Sequence, residues 1–346
     1  MRILLIGVFT PPYEEENLHS LALLDLLNRN GHDCSAIDIS ERLSPGKEVV
    51  TIRNYVDYVL KLVRHGWRRD VVHFLTKGYT RPGLMKLMTA VLVGKLLGAK
   101  LVITLHSEMF SILGRLRSKI TGEPLLLLCF FLASRVICEG RDTYEMIASK
   151  YRLKNKYILV PSVIEIPDDI SQYELSILKP LQGKERVLLL VNVTYPSFLF
   201  EVFQELTTRH LGLEVGVAIA LPENSSSQLL RERLAGLARG FSENMIFLDQ
   251  GDRRLMSLVY ARADQVMRPA SCDGVMLFDN NAFMIRQAAR QHRLVHFPFS
   301  LCLVKEGEAS PWCASVAKEI LIRKPARTPL LEINDFHKTI SEIYFQ

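Results

Sequence analysis

The chain has 346 residues, 48% of them hydrophobic and 23% charged, with a formal net charge of +6. That apolar content excludes a disordered chain, and the length exceeds what one core fills, so two domains of ~150 residues are expected. The six cysteines, at 34, 129, 138, 272, 302 and 313, form no Cys-x-x-Cys pair and no regular spacing, which argues against a zinc module and a disulfide framework and fits a reducing cytoplasm.

In chain order, short β-rich runs alternate with helical patterns, the signature of βαβ units and a parallel sheet. "RILLIGV" (2–8) reads as a buried first strand and not a signal peptide, because "TPPYEEEN" follows without a small-residue cleavage site. A helix over 17–34 carries Leu18, Leu21, Leu24 and Leu27 on one face and closes at Asn30-Gly31. Strand "SAIDI", a basic helix near 54–65, strand "DVVHF" (70–74) and a helix over 84–98 come next. They are followed by strand "KLVITLH" (100–106), a helix over 124–132, strand "RVICE" (135–139), a helix over 142–151 and strand "YILVP" (157–161). The polar stretch 165–185 has no clean period and reads as a linker. The alternation restarts with strand 186–193, helix 197–209, strand 213–220, helix 227–238, strand 244–249, helix 255–263 and strand 265–269. Another helix, strand "LVHFP" (294–298) and a last helix over 335–346 complete the pattern. The expected organisation is a first α/β domain over 1–165, a linker over 166–185, a second α/β domain over 186–330, and a helix over 331–346 that returns toward the first domain.

The charge is uneven. Residues 51–120 hold thirteen basic side chains against Asp57, Asp70 and Glu108, a net of +10, which leaves about −4 for the rest. Such a segment should face something anionic. With Trp67 and apolar helices nearby, an anionic membrane surface is the expected partner. Nucleic acid is not expected, since there is no RNP-type motif, zinc-finger spacing or basic tail. The longest apolar run, "PLLLLCFFLA" (124–133), falls far short of the ~20 residues that cross a bilayer. No HExxH, P-loop or GxSxG is present.

Several stretches together resemble the GT-B glycosyltransferases, and in detail glycosyltransferase family four. They are "TPPYEEENLHSLALLDLLNRNGHDC", "DVVHFL", "LVITLHSE", "ASRVICEG", "YILVPSVIEIP" and "NMIFLDQGDRRLMSLVYARADQVMRPAS". The resemblance spans nearly the whole chain. It implies two doubly wound Rossmann-like domains with a C-terminal helix closing the cleft. It also implies an enzyme, cytoplasmic or on the inner face of the membrane, that moves a sugar from a nucleotide-diphosphate donor to a glycan or lipid-linked acceptor in surface polysaccharide synthesis. Retention of anomeric configuration without a metal or other cofactor follows, because fixed N–H groups and basic side chains stabilise the leaving diphosphate.

Residue by residue, the resemblance puts His106 beside the reacting sugar. Pro12, Tyr13 and Glu14 lie on the acceptor-side loop, with Glu14-Glu15-Glu16 where the family has glycines; such a charge run is otherwise a solvated loop. The family's donor motif aligns Asp279 with its first Glu, on the donor sugar, and Gln287 with its second, near the ribose, with Asn280 and Asn281 beside them. A second register uses Asp273 and Asn281 but loses the "Ala…Val" match. The family's Arg and Lys after the first strand of the second domain are absent from "VNVTYPSF", so Arg253, Arg254, Arg268 and Arg286 are the candidates to replace them. His73, inside a strand, reads as structural. Two other functions stay open: a non-catalytic scaffold for another transferase, motivated by the missing glycines and basic pair, and a nucleotide-sugar epimerase, since fold does not decide chemistry.

Overall fold

The computed structural model describes residues 1–40, 49–76, 81–106, 122–139, 141–151, 154–160, 164–191 except 166 and 168, 215–221, 231–232, 242–263, 265–270, 275–279, 293–295, 302–305, 330–332 and 339–344. The first sheet has seven strands, β1 (Arg2–Gly7), β2 (Asp33–Asp38), β3 (Val49–Thr51), β4 (Val71–Thr76), β5 (Lys100–Leu105), β6 (Arg135–Cys138) and β7 (Tyr157–Leu159). Their order is β3-β2-β1-β4-β5-β6-β7, and every pairing is parallel. Strand order reverses between β1 and β4, so the crevice outside their carboxyl ends is where an open α/β sheet takes a ligand.

Both faces of this sheet are covered, as a parallel sheet requires. Alternate residues point to opposite sides. Leu4, Ile6, Val72, Phe74, Leu101 and Ile103 meet α2 (Tyr55–Gly66), α3 (Arg81–Leu96), α4 (Gly122–Leu132) and α5 (Arg141–Tyr151) through Tyr58, Leu62, Leu87, Val91, Leu126, Phe130 and Ile147. Ile3, Leu5, Val71, Leu75 and Val102 meet α1 (Glu15–Arg29) and the final helix, residues 339–344, through Leu23, Leu24, Leu27, Ile340, Ile343 and Tyr344. The α1 helix ends as expected at Asn30, with Gly31 in the left-handed conformation at φ 78°. Asn54 starts α2 by accepting a hydrogen bond from the Asp57 N–H at 2.9 Å. Gly94 lets α3 approach the sheet closely, since a Cβ there would lie 2.5 Å from Leu101 Cδ2.

The returning helix is anchored by His73 on β4. This residue is fully buried; its Nδ1 lies 2.6 Å from Tyr344 Oη and its Nε2 lies 2.7 Å from Thr104 Oγ1. Burial, helped by nearby His19 and His106, pushes the His73 pKa down from 6.5 to about 3. The unfolded chain therefore takes up a proton that folded His73 refuses. Stability is complete above pH 6.5 and declines as pH falls toward 3, by up to about 1.4 kcal/mol per pH unit from this group. A series of urea midpoints between neutrality and about pH 4 should show a shallower loss for His73→Gln than for the wild type; identical slopes would remove His73 as the cause.

The second sheet has six strands in the order β10-β9-β8-β11-β12-β14, formed by β8 (Arg186–Val191), β9 (Val215–Leu221), β10 (Met245–Asp249), β11 (Gln265–Ala270), β12 (Val275–Asp279) and β14 (Cys302–Lys305). Leu189, Val191, Ala218, Ala220, Ile246 and Leu248 pack against Leu255, Met256, Leu258 and Val259 in a common core with α7 (Arg253–Tyr260). The sheet departs from the fully parallel expectation at one edge. β11–β12 and β12–β14 are antiparallel, because only residues 271–274 join the first pair, too few for a parallel crossover. The strand expected over 294–298 is β13 (Arg293–Val295), and it pairs with β15 (Leu330–Glu332) in a separate two-stranded sheet. The linker stretch contains a helix, α6 (Gln172–Leu178), capped by the Ser171 side chain and the Glu174 carboxylate in a reciprocal capping box. Helices expected over 197–209 and 227–238 lie outside the described residues apart from 231–232.

Candidate functional site

The β1–α1 connection is built like a ligand-binding turn and is fixed from beneath. Asp38, fully buried at the end of β2, accepts hydrogen bonds from the Phe9 N–H at 3.0 Å and the Ser40 N–H at 2.6 Å. Thr10 Oγ1 lies 2.7 Å from Ser40 Oγ, and Asn17 Nδ2 donates to the Thr10 carbonyl at 2.6 Å. The backbone N–H of Tyr13 donates to the Gln250 carbonyl at 2.7 Å, and its ring packs against the core of the second sheet. The expected acceptor-side loop, Pro12, Tyr13 and Glu14, thus bridges the two sheets.

Glu14 is the N-cap of α1, with Glu15 and Glu16 as its first helical residues, both buried. The glutamate run is therefore not a solvated loop. Its charge sits where the helix N-terminus favours it.

Four side chains converge at the carboxyl edge of the first sheet. His106 follows β5, Glu139 follows β6, and Glu16 and His19, three positions apart, come from the first turns of α1. All four are buried. His106 Nδ1 lies 2.9 Å from Glu139 Oε2, and its Nε2 lies 3.8 Å from Glu16 Oε1. His19 Nε2 lies 3.6 Å from Glu139 Oε1, and the two imidazoles meet edge to face with centroids 5.7 Å apart. Glu139 thus bridges both rings. Two carboxylates and two imidazoles in contact can take up, hold and return a proton, the chemistry of a general acid–base pair.

His106 was expected here; Glu16 was read only within the charge run of the β1–α1 loop, and His19 and Glu139 were not singled out for a site. Glu139 had a visible signal, the lone carboxylate ending strand "RVICE". His19 had a weaker one, its place one turn after Glu16.

Of the expected donor residues, Asp279 ends β12 and stands opposite Val266, and Arg268 lies within β11 opposite Leu277. Asn280, Asn281 and Gln287 lie outside the described residues, as do Asp273 and Arg286. Two of the arginines considered for the diphosphate are already held by carboxylates. Arg253 contacts Asp25 at 2.6 Å and Glu165 at 3.3 Å, and Arg254 contacts Glu174 at 2.8 Å and Asp169 at 3.5 Å. The Arg254 guanidinium, with the Ser171 N–H, holds the Glu174 carboxyl well below the usual carboxylate range, at about 2. Among the described residues no group of three or more His, Cys, Asp or Glu is placed to hold a metal ion.

The sequence matches no family model and no curated protein. Solved structures match it along its length. The UDP-GlcNAc 2-epimerase of Neisseria meningitidis, bound to UDP-GlcNAc, is similar with a TM-score of 0.58 at 12% identity, over 100% of each chain. Anabaena Alr3699/HepE in complex with UDP and glucose gives 0.55 at 13% identity, over 99% of this chain and 98% of that one. A glycosyltransferase from Rickettsia africae gives 0.50 at 12% identity, over 99% of this chain and 97% of that one. At identities this low the likeness establishes the fold: two Rossmann-like α/β units of the GT-B type. Glycosyltransferase family four is not singled out within it.

Proposed function

We propose that the protein is an enzyme acting on a nucleotide sugar, with the reacting sugar against the cluster of Glu16, His19, His106 and Glu139. The carrying observation is that cluster, at the carboxyl edge of a doubly wound sheet. Of the reactions open to such a site, epimerisation comes first. An epimerase of this kind can remove a proton from one face of the carbon beside the anomeric carbon as the C–O bond to the diphosphate breaks and a double bond forms; when the diphosphate adds back, a proton is delivered to the other face, so two acid–base groups are needed in one place. His106 and His19, joined through Glu139, supply them. The similarity to epimerases such as that of Neisseria meningitidis supports this reading.

Glycosyl transfer is the second reading, supported by the motif order in the sequence and by the similar Rickettsia africae glycosyltransferase. A transferase needs a single base for the acceptor hydroxyl, and His106 fills that role. In both readings the second sheet would hold the nucleotide.

One experiment separates the readings. Nucleotide sugars are incubated singly with the protein in D2O and followed by proton NMR. Epimerisation gives a second nucleotide sugar carrying solvent deuterium at one sugar carbon, with no acceptor present. Transfer gives free nucleoside diphosphate only when an acceptor is added, and no deuterium in the remaining donor. Binding with neither change would sink both enzymatic readings and leave a scaffold.

A further inference from the structure

Parallel sheets usually sit beneath helices whose outer sides are polar. The helical layer of α2, α3 and α4 breaks that rule. Among the described residues, every exposed large hydrophobic side chain except Ile170 and Tyr173 lies on these three helices or on Trp67, which ends α2. The α2 helix has two apolar stripes. Tyr58, Leu62 and Gly66 face the sheet, whereas Val56, Leu60, Val63 and Trp67 follow one another at helical spacing on the outside. Leu60 is 65% exposed and Trp67 62%. On α3 the outer stripe is Met85, Leu92 and Leu96, the last 86% exposed; on α4 it is Leu127, Leu128 and Phe131, the last 61% exposed. The three helices lie side by side over one face of the first sheet, α2 against α3 and α3 against α4, so the stripes form one surface. Contiguous exposed apolar surface of this kind marks an interaction site.

The charge around it identifies the partner. Arg53, Arg64, Arg68 and Lys95 are exposed on or beside α2 and α3. Lys156 adds its Nζ 5.3 Å from the centre of the Phe131 ring. Burial lowers the pKa of Lys156, with Lys95 and Arg135 adding to the effect. Asp57, the only acidic side chain described on these helices, is paired with Lys61 at 2.7 Å.

Not every base of the segment belongs to the surface. Arg69 is tied to Asp33 and to the His65 carbonyl, and Lys86 is buried with its Nζ on the Ile39 carbonyl. Among the described residues no helix is long and apolar enough to cross a membrane. A second copy is a poor occupant, because a two-fold interface would set the bases of one copy against those of the other.

We propose that the outer face of α2, α3 and α4 docks on an anionic lipid bilayer, with Leu60, Trp67, Leu96 and Phe131 entering the interface and Arg53, Arg64, Arg68 and Lys95 meeting the headgroups. The surface needs no reaction at the sheet edge, so it stands or falls apart from the enzymatic reading.

The test uses the full chain with Trp312→Phe, so that fluorescence reports Trp67. Vesicles of phosphatidylcholine are compared with an equimolar mixture of phosphatidylcholine and phosphatidylglycerol. Sedimentation with the mixed vesicles, weakened by salt, and a blue shift of Trp67 are expected. Each basic residue near such a surface contributes roughly fivefold to partitioning. The combined Arg64→Gln, Arg68→Gln and Lys95→Gln variant should therefore partition on the order of a hundredfold more weakly. Leu60→Ser with Leu96→Ser and Phe131→Ser should abolish the blue shift, and because these side chains are exposed the circular dichroism should stay unchanged. Failure to sediment with the mixed vesicles, or equal binding to neutral ones, overturns the proposal. So does a solution dimer that the serine variant dissolves, which would make the face an interface between copies.

Discussion

Replacing His106 with Asn should lower turnover on the nucleotide sugar by about 10²–10⁴-fold, the usual contribution of a positioned proton-transfer group. Asparagine is the informative replacement. Its amide can still donate to Glu139 Oε2, which His106 Nδ1 reaches at 2.9 Å, so the buried carboxylate keeps a partner and the fold keeps its stability. Nucleotide affinity, measured by calorimetry, should stay near that of the wild type, because the loss falls on the reacting sugar. Glu139→Gln should fall as far in turnover, since it unties His106 and His19 together. If instead both variants melt early while the folded fraction keeps its specific activity, the cluster is a core network and not a catalytic one.

Tyr344→Ala should destabilise the protein by about 3–5 kcal/mol, the cost of emptying a buried aromatic site. Tyr344 is 1% exposed and meets the His73 ring edge to face with centroids 5.7 Å apart, while its backbone carbonyl accepts from Lys100 Nζ at 3.3 Å. Losing the ring leaves residues 339–344 with only Ile340 and Ile343 in the core beneath them. Tyr344→Phe isolates the hydroxyl. It keeps the packing but leaves His73 Nδ1 unpaired in a buried site, for about 1–3 kcal/mol. Urea unfolding of the three proteins should give this order. A Tyr344→Ala loss no larger than that of Tyr344→Phe would mean that the helix end packs too loosely to anchor anything.

The first sheet was legible because its strands are continuous apolar runs and its helices keep a 3.6-residue period. What escaped was short or locally disguised. Val49–Thr51 is a three-residue edge strand, below the length at which alternation can be read. Gln172–Leu178 hid in a polar stretch, although Ser171 and Glu174 spell a capping box three residues apart. The antiparallel edge at β11–β12 was obscured because "VMLFD" reads equally well as part of a loop before a helix.

The proposed site divided in the same way. His106 could be named, since a histidine ending a strand of a parallel sheet stands at the ligand edge. Its partners could not be, because the contact with Glu139 spans 33 positions and depends on β5 and β6 being neighbours. The glutamates of "YEEEN" gave no sign of burial, because one turn of sequence cannot show which face of α1 the sheet will cover.

The α1 helix is held by both halves of the molecule. Leu23, Leu24 and Leu27 lie in the core of the first sheet, while Leu18 lies in that of the second and Asp25 is tied to Arg253 on α7. Glu16 and His19 ride on this helix, whereas His106 and Glu139 are fixed to the sheet edge. The spacings of 3.6 and 3.8 Å therefore depend on how α1 is seated on that edge. A shift of α1 against the sheet edge would change both distances, so the network depends on contacts made outside it. A change far away at Asp25 or Arg253 would then alter the pH profile of the reaction without touching a group that titrates in it.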